Sequence, residues 1–208
     1  DRFEPVDLWN DVGLMTFTSG TTGRPKGAML SYGSSLFKMA VSFNANRMTE
    51  DTVSLGIAPL CHIAGMNFGV YQPVYARQTL VILARFEPAT TIDAIEHYRV
   101  SNWYGIAPML RAILDFPGVR DRDLTSLTNN PCTSFGIPLT EKLAEEWKAL
   151  TGCQTHEAAY GLSETHTSDT FMPKDRIKWG SCGVPMAENE IRIVDTETGA
   201  ECAPGQSG

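Results

Sequence analysis

The chain has 208 residues, of which 42% are hydrophobic and 20% charged, so it can bury a core and does not have the composition of a disordered segment. Its formal net charge is −7 and its 17 Lys and Arg residues are scattered, which argues against a surface that binds nucleic acid or anionic membranes. The five cysteines show no CxxC spacing, so neither a disulfide framework nor a structural zinc site is predicted, and reduced cysteines are typical of a cytoplasmic protein.

Neither a secretory leader nor a membrane span is predicted from the sequence. The first residues lack the charged and then apolar pattern of a signal peptide. The most apolar stretch, over 57–76, is interrupted by prolines and polar side chains, which is typical of a buried core segment. The chain starts without a methionine and ends on a turn-like Ala-Pro-Gly-Gln-Ser-Gly, so we expect it to be part of a longer protein.

In chain order, the first elements alternate between short apolar strands and helices, as in a parallel sheet with crossover helices. Ser31 is the expected cap of the first helix, and the Thr90-x-x-Asp93 spacing predicts the start of the third. These elements are a strand over 14–17, a helix over 31–44, a strand over 52–57, a helix over 64–75, a strand over 80–83 and a helix over 90–98.

The second half continues this alternation and then changes. From Thr140 an amphipathic helix is predicted, with Leu143, Trp147 and Leu150 on one stripe. After Gly180 the helical pattern stops, and alternation over 190–194 before a turn at 196–199 predicts a β subdomain. The other elements of this half are a strand over 102–105, a helix over 109–115 and a strand over 155–159.

These elements predict an α/β fold. We expect a doubly wound, mostly parallel sheet with flanking helices over 1–180, followed by the start of a β subdomain over 181–208.

A loop rich in glycine and hydroxyl residues is the strongest indication of a ligand site. Its expected place, after a strand and before a helix, is where open α/β sheets bind ligands, and its backbone N–H groups could surround a polyphosphate, with Lys26 adding a cation. It is not a Walker P-loop, because the second glycine would fall on Pro25 or Ala28, nor is it a dinucleotide fingerprint. A polar linker is the alternative for a loop of this composition. The loop comprises Thr18, Ser19, Gly20, Thr21, Thr22, Gly23, Arg24, Pro25, Lys26 and Gly27.

Four further segments follow the loop in a characteristic order. With the loop, they make the chain resemble the adenylate-forming (AMP-binding) superfamily of acyl-CoA synthetases, peptide-synthetase adenylation domains and luciferases. The fourth segment resembles the start of that family's β-barrel subdomain. The segments are Pro-Leu-Cys-His-Ile-Ala-Gly at 59–65, Ser-Phe-Gly-Ile-Pro-Leu at 134–139, Tyr-Gly-Leu-Ser-Glu-Thr at 160–165 and Gly-Ser-Cys-Gly-Val-Pro at 180–185.

The resemblance implies roles for individual residues. Glu164 would bind Mg²⁺, since a hard cation that bridges phosphates prefers a carboxylate. Ser163 replaces the family's usual threonine and would hydrogen-bond the α-phosphate. Tyr160 would stack on or border the adenine, and Gly161 would be part of the ATP-binding site. His62 would lie beside the acyl and phosphate sites, although a lone histidine in such a sequence is often a core residue.

The remaining implied contacts are with ATP. Gly136 and Pro138 would shape the adenine turn, where the bulky Phe135 and Ile137 depart from a family pattern usually richer in Gly and Ala. The implied phosphate-binding residues are Thr18, Ser19, Gly20, Thr21, Thr22, Gly23 and Lys26.

Two other catalytic motifs fail on spacing. Gly161-Leu-Ser163-Glu-Thr165 is not a nucleophile elbow, because its fifth residue is not glycine. His156-Glu-Ala-Ala-Tyr160 is not a zinc HExxH motif, because its last residue is tyrosine. We therefore expect His156 and His166 to be ordinary polar residues.

The resemblance implies an acyl-CoA synthetase that uses ATP, Mg²⁺ and coenzyme A, and we expect a fatty or aromatic carboxylic acid as substrate. An amino-acid adenylation domain and a catalytically silent nucleotide-binding module are the alternatives. The family's later catalytic motifs and N-terminal segments are not in this sequence. We therefore expect it to be inactive alone and to expose apolar faces through which homo-oligomers could form.

Overall fold

The computed structural model describes residues 4–19 and 23–208, and it begins with a two-stranded hairpin. Strands β1 (Val12–Thr18) and β2 (Lys26–Ser31) pair antiparallel, with Thr18 opposite Lys26. The Gly/Thr-rich loop therefore joins two strands, and the expectation that a helix follows it directly was wrong. The segment that forms β2 was missed because cross-strand pairing, which a local pattern does not reveal, creates it.

The hairpin leads into the first helix and leaves an apolar surface. Helix α1 (Tyr32–Ala45) starts as predicted, with the Ser31 hydroxyl accepting a hydrogen bond of 3.1 Å from the Ser34 N–H. On the strands, the side chains of Met15, Phe17 and Met29 are exposed. Such a surface agrees with the expected apolar faces, and homo-oligomer formation stays a prediction.

The main sheet is parallel. Two three-stranded groups, β4-β3-β5 and β6-β7-β8, are separated only by Tyr104, which interrupts what the sequence predicts as one strand. Taken together, the groups have the doubly wound order β4-β3-β5/β6-β7-β8, with its topological switch between β3 and β5. The strands are β3 (Val53–Gly56), β4 (Thr79–Ile82), β5 (Asn102–Trp103), β6 (Gly105–Ile106), β7 (Asn130–Thr133) and β8 (Thr155–Glu157).

Strand β7 was not predicted, because Asn130 and Pro131 are poor strand formers. Its pairing with β6 and β8 on both sides overrides that local preference.

The helices lie mostly where the sequence predicts them. Helix α4 begins at Pro88, two residues before Thr90, because proline is favoured in the first turn; the predicted capping box at Thr90 was therefore wrong. Thr140 caps α6 as predicted and accepts a hydrogen bond of 3.2 Å from the Leu143 N–H. The helices are α2 (Ile63–Met66), which continues through a π-helical segment at Asn67–Tyr71 into α3 (Gln72–Tyr75), α4 (Pro88–Tyr98), α5 (Ala107–Leu114) and α6 (Glu141–Thr151).

The sheet separates two packing layers. Leu55 of β3 joins the core with α4, α5 and α6, at whose centre Trp103 and Trp147 are fully buried with ring centroids 5.9 Å apart. On the other face, a Cβ added at Gly56 would lie 3.4 Å from the Cα of Gly69 in the π-helical segment. Alternating side chains of one strand thus face two different layers, as in doubly wound folds.

The C-terminal residues contain little regular structure. Strands β9 (Thr170–Phe171) and β10 (Val184–Pro185) pair antiparallel. The predicted turn after 195 is closed by a hydrogen bond of 2.8 Å from the Asp195 N–H to the Ala200 carbonyl, but the alternating 190–194 segment contributes only one bridge, between Val194 and Glu201. The division of the chain at residue 180 stays a prediction. Within the described residues, no helix combines the length and apolar character needed to cross a bilayer.

Candidate active site

Three adjoining cavities lie at the carboxyl ends of the parallel strands, next to the topological switch. We call them the central, apolar and Tyr160 cavities. His62 lines both the central and the apolar cavity, Gly161 lines both the central and the Tyr160 cavity, and Thr133 lines both the apolar and the Tyr160 cavity. Their volumes are about 460, 410 and 410 Å³, respectively. A ligand in the central cavity could therefore reach both of the others, as the switch position of an open α/β sheet allows.

The central cavity brings together residues from three separate motifs. Thr18 and Ser19 come from the end of β1, His62 from the start of α2, and Ser163 and Glu164 from a 3₁₀ turn at Ser163–Thr165. Residues that carry hydroxyl groups and one residue that carries a carboxylate thus line a common space. Its described lining is Thr18, Ser19, His62, Ile63, Gly161, Leu162, Ser163, Glu164 and Thr167.

Part of the predicted phosphate loop is placed differently. Gly20, Thr21 and Thr22 lie outside the described residues. Gly23 is exposed with a φ of +79°, in the left-handed region that favours glycine. Lys26 is exposed at the start of β2 and does not line the central cavity.

His62 caps α2 and is exposed between the central and apolar cavities. Its Nδ1 accepts a hydrogen bond of 3.2 Å from the Ala64 N–H, so the neutral ring carries its proton on Nε2. Gly65 explains the His-x-x-Gly spacing, because any side chain there would overlap the carbonyl of Pro59. The motif therefore fixes a tight approach of the helix to the end of β3 and leaves an N–H donor on the histidine ring.

The Tyr160 cavity is formed by the 134–139 turn and by residues on either side of β9. Pro138 and Tyr160 line it, while Gly136 shapes the turn with a φ of +81° but is not part of the lining; their contacts with adenine stay a prediction. The turn is closed by a hydrogen bond of 2.9 Å from the Leu139 N–H to the Ser134 hydroxyl.

Two further residues of this cavity were missed by sequence reasoning. Glu157 accepts the Ser134 N–H at 3.1 Å, and Trp179 provides an aromatic wall. Trp179 directly precedes the Gly-Ser-Cys-Gly segment, and that adjacency is the signal by which it could have been found.

The loop from Tyr160 to Thr170 is unusually constrained. Gly161 packs against the backbone of Thr167 and Ser168 so closely that a side chain would overlap it. Three consecutive residues, His166, Thr167 and Ser168, have φ of 62°, 55° and 52°. Each left-handed non-glycine residue costs about 1–2 kcal/mol, so surrounding contacts must stabilise this turn.

Those contacts come from α1 and the π-helical segment. Lys38, a buried residue of α1, forms an ion pair of 3.0 Å with Asp169 and donates to the Ser168 carbonyl at 3.2 Å. The Asn67 amide donates to the His166 carbonyl. Burial, assisted by the positive charge of Lys38, lowers the pKa of His166 to about 4, so its ring stays neutral at physiological pH.

The donor set of the central cavity fits Mg²⁺. Glu164 supplies a carboxylate, and Thr18, Ser19, Ser163 and Thr167 supply hydroxyls, which are the hard oxygen donors this ion prefers. Among residues 4–19 and 23–208, no cluster of three or more His, Cys, Asp or Glu side chains could hold a metal by itself.

The apolar cavity is walled by aliphatic and aromatic side chains. Tyr104, at the interruption between β5 and β6, stacks on Phe68 with ring centroids 4.5 Å apart and planes at 7°. Its hydroxyl donates to the Thr133 hydroxyl at 3.1 Å, and burial raises the pKa of the phenol. The lining is Ala58, Pro59, His62, Ala64, Tyr104, Gly105, Ile106, Met109, Thr133 and Phe135.

The chain is similar in sequence to known proteins. The chain is 32% identical over 204 residues to "4-coumarate--CoA ligase-like 9" of Arabidopsis thaliana, covering 96% of this chain and 36% of that protein. It is 31% identical over 212 residues to "Feruloyl-CoA synthase" of Amycolatopsis sp, covering 99% of this chain and 42% of that protein. The chain therefore spans about two fifths of the length of these curated relatives.

A solved structure shares the fold. It is the ATP-bound MatB from Rhodopseudomonas palustris, with a TM-score of 0.83 and 28% identity, covering 95% of this chain and 38% of that one. Residues 3–208 match the family described as "AMP-binding enzyme". The parallel sheet with its switch-point cavities, the CoA-ligase relatives and this match show that the chain belongs to the AMP-binding enzyme family.

Proposed function

We propose that this chain forms the nucleotide- and acyl-binding part of an ATP-dependent acyl-CoA synthetase. A carboxylate oxygen attacks the α-phosphorus of ATP, the bond to the β-phosphate breaks, and pyrophosphate leaves. The thiolate of CoA then attacks the acyl carbonyl and AMP departs. The observation that carries this proposal is the central cavity, whose polar lining joins an apolar cavity on one side and the Tyr160 cavity on the other.

The residues divide the work by position. In the central cavity, the hydroxyls of Thr18, Ser19 and Ser163 donate to phosphate oxygens, and Glu164 holds Mg²⁺, which neutralises phosphate charge when bound. At the wall shared with the apolar cavity, the Nε2–H of His62 donates to the substrate carboxylate and orients it. Positioning and charge neutralisation carry such a reaction, so no covalent protein intermediate is required.

The adenine is assigned to the Tyr160 cavity. The exposed ring of Tyr160 and the indole of Trp179 offer aromatic faces, and the 134–139 turn offers backbone groups at the edge of the same space. Gly161, shared with the central cavity, lies where the nucleoside would continue into its phosphates.

The apolar cavity favours a hydrophobic acid, aromatic or fatty, as substrate. Its described lining includes no Asp, Glu, Lys or Arg side chain, and Tyr104, whose ring stacks on that of Phe68, forms part of its wall. Two relatives carry names that refer to aromatic acids, 4-coumarate and ferulate. The same lack of a carboxylate in the described lining disfavours an amino-acid substrate, whose ammonium group needs a partner.

Hydroxamate formation by the full-length protein tests this function. We would supply ATP, Mg²⁺ and hydroxylamine with a panel of hydroxycinnamic, benzoic, fatty and amino acids, and then repeat active combinations with CoA. We expect trapping with hydrophobic acids and thioester formation with CoA. Trapping with amino acids only would favour an adenylation domain, and nucleotide binding without trapping would favour a silent module.

A further inference from the structure

The Ser163–Glu164 turn is attached to the protein interior through one hydroxyl. The Thr165 Oγ1 accepts a hydrogen bond of 3.1 Å from the Leu162 N–H and donates its proton to Oδ2 of Asp169. Thr165 thus connects both ends of the 3₁₀ turn, whose other two residues line the central cavity, to a carboxylate four residues further on.

Asp169 is in turn fixed by a buried cation. Its other oxygen, Oδ1, accepts from the Lys38 ammonium at 3.0 Å, and both residues are buried. Lys38 lies on α1, which directly follows the hairpin that carries Thr18 and Ser19. The chain of contacts from Lys38 through Asp169 to Thr165 therefore ties the Ser163–Glu164 turn to α1.

The same contacts act on a turn that would not persist alone. Between Thr165 and Asp169 the chain passes through the three left-handed residues 166–168, and such a conformation remains only when its surroundings over-determine it. On its far side, the Ser35 hydroxyl lies 2.9 Å from Nε2 of His166. The backbone bonds that depend on this turn run from the Thr167 N–H to Leu162 and from the Asp169 N–H to Tyr160, each 2.8 Å.

We infer that Lys38, Asp169 and Thr165 are positioning residues, which hold Ser163 and Glu164 in the orientation that MgATP requires. None of the three lines the central cavity, so each acts through the turn. The inference rests on the proposed function for its catalytic readout, but its structural part does not. Losing a supporting contact of this kind typically costs about 10–100-fold in metal affinity or activity.

Thr165→Val tests the link, because it removes the hydroxyl and keeps the side chain's shape. Thr165→Ser restores the hydroxyl. Thr125→Val is the matched control, since the Thr125 hydroxyl also donates to a carboxylate, that of Asp123, in an exposed turn outside all three cavities. Asp169→Asn is a second variant that keeps the side chain's shape and removes the charge facing Lys38.

Amide hydrogen exchange of the unliganded protein provides the readout that is independent of activity. In Thr165→Val and Asp169→Asn, we expect the amides of Leu162, Thr167 and Asp169 to exchange about tenfold faster, while Thr165→Ser and Thr125→Val resemble the wild type. The kcat/KM for MgATP should fall about 10–100-fold in the first two variants, and the midpoint of the Mg²⁺ dependence should rise.

Three results with these variants would overturn the inference. Unchanged amide exchange in Thr165→Val would show that the Thr165 hydroxyl does not stabilise the turn. If amide exchange in Thr165→Val is faster but its kcat/KM equals that of the Thr125→Val control, the role of Thr165 is purely structural. If Thr165→Ser is as impaired as Thr165→Val, the hydroxyl is not the group that positions the turn. If the wild type activates no acid, the proposed function fails, and equilibrium binding of MgATP to the same variants decides the inference; a wild type that binds no MgATP overturns both.

Discussion

Glu164 shows how much depends on a single side chain in this site. It is the one carboxylate in the described lining of the central cavity, and it is exposed there, so its charge contributes little to folding. We expect Glu164→Gln to lower kcat for acid-dependent pyrophosphate release about 10²–10³-fold, because the amide keeps the shape and removes the charge that the cation needs. Release would be measured over a range of Mg²⁺ concentrations.

Glu145→Gln is the control for that substitution. Glu145 is exposed on α6, away from the cavities, so the same chemical change should leave the rate within about twofold. Pyrophosphate release by Glu164→Gln at the wild-type rate would remove Glu164 from the metal site.

His62 is a residue whose role the sequence left ambiguous. Its exposure between two cavities argues for the site and against an ordinary core histidine. Its Nδ1 is already committed to capping α2, which leaves Nε2–H as the group available to a ligand.

At the scale of elements, the loop between β8 and β9 shapes the wall shared by the central and Tyr160 cavities, where we propose that the nucleotide binds. Gly161 lies against the backbone of Thr167 and Ser168, so Gly161→Ala must displace one side of the loop. We expect a stability loss of about 1–3 kcal/mol from overpacking and a kcat/KM for ATP reduced about tenfold or more, since the shared wall of two cavities moves. Urea denaturation and ATP-dependent kinetics would measure the two effects.

Gly152→Ala is the control for Gly161→Ala, because it replaces a glycine that lies outside the loop between β8 and β9. Gly152 ends α6 with a φ of +76° and has open space around it. Alanine there should cost about 1 kcal/mol through backbone strain and leave the kinetics unchanged. If Gly161→Ala behaved like Gly152→Ala in both assays, the close packing at Gly161 would have no functional consequence.

At the scale of the whole molecule, two buried histidines make stability depend on pH. Burial lowers the pKa of His156 and His166 to about 4, with Lys174 and Lys38 respectively adding to the shift. Both rings are neutral in the folded protein, whereas the unfolded chain takes up protons below about pH 6.5. The contribution of these histidines to the free energy of unfolding is therefore fully present above pH 6.5. It is lost as the pH falls towards 4, by up to about 3 kcal/mol for each histidine.

Urea midpoints measured at pH 7.5 and pH 5 check this prediction. His156→Gln should reduce the difference between the two midpoints, because glutamine does not titrate. His97→Gln, at an exposed position on α4, should leave it unchanged. A wild-type midpoint that is the same at both pH values would contradict the burial argument.

By itself, the sequence determined those features of this protein that depend on short-range sequence patterns. The α/β class, the cap of α1 at Ser31 and the stripe of Leu143 and Trp147 follow from hydrophobic period and capping chemistry over a few residues. The family also follows, because ordered motifs persist in the linear sequence, and the match over residues 3–208 confirms it.

Only the tertiary structure decided what depends on partners far apart in the chain. Strand β2 exists because β1 pairs with it, and β7, with its Asn130-Pro131 start, exists because β6 and β8 lie on either side. The Lys38–Asp169 ion pair joins residues that no local pattern connects. His166, which the sequence predicts to be an ordinary polar residue, is buried, and burial with the nearby Lys38 charge lowers its pKa to about 4. Local propensities are weak compared with the pairing and burial of the folded state, so long-range contacts determine where the site's residues meet.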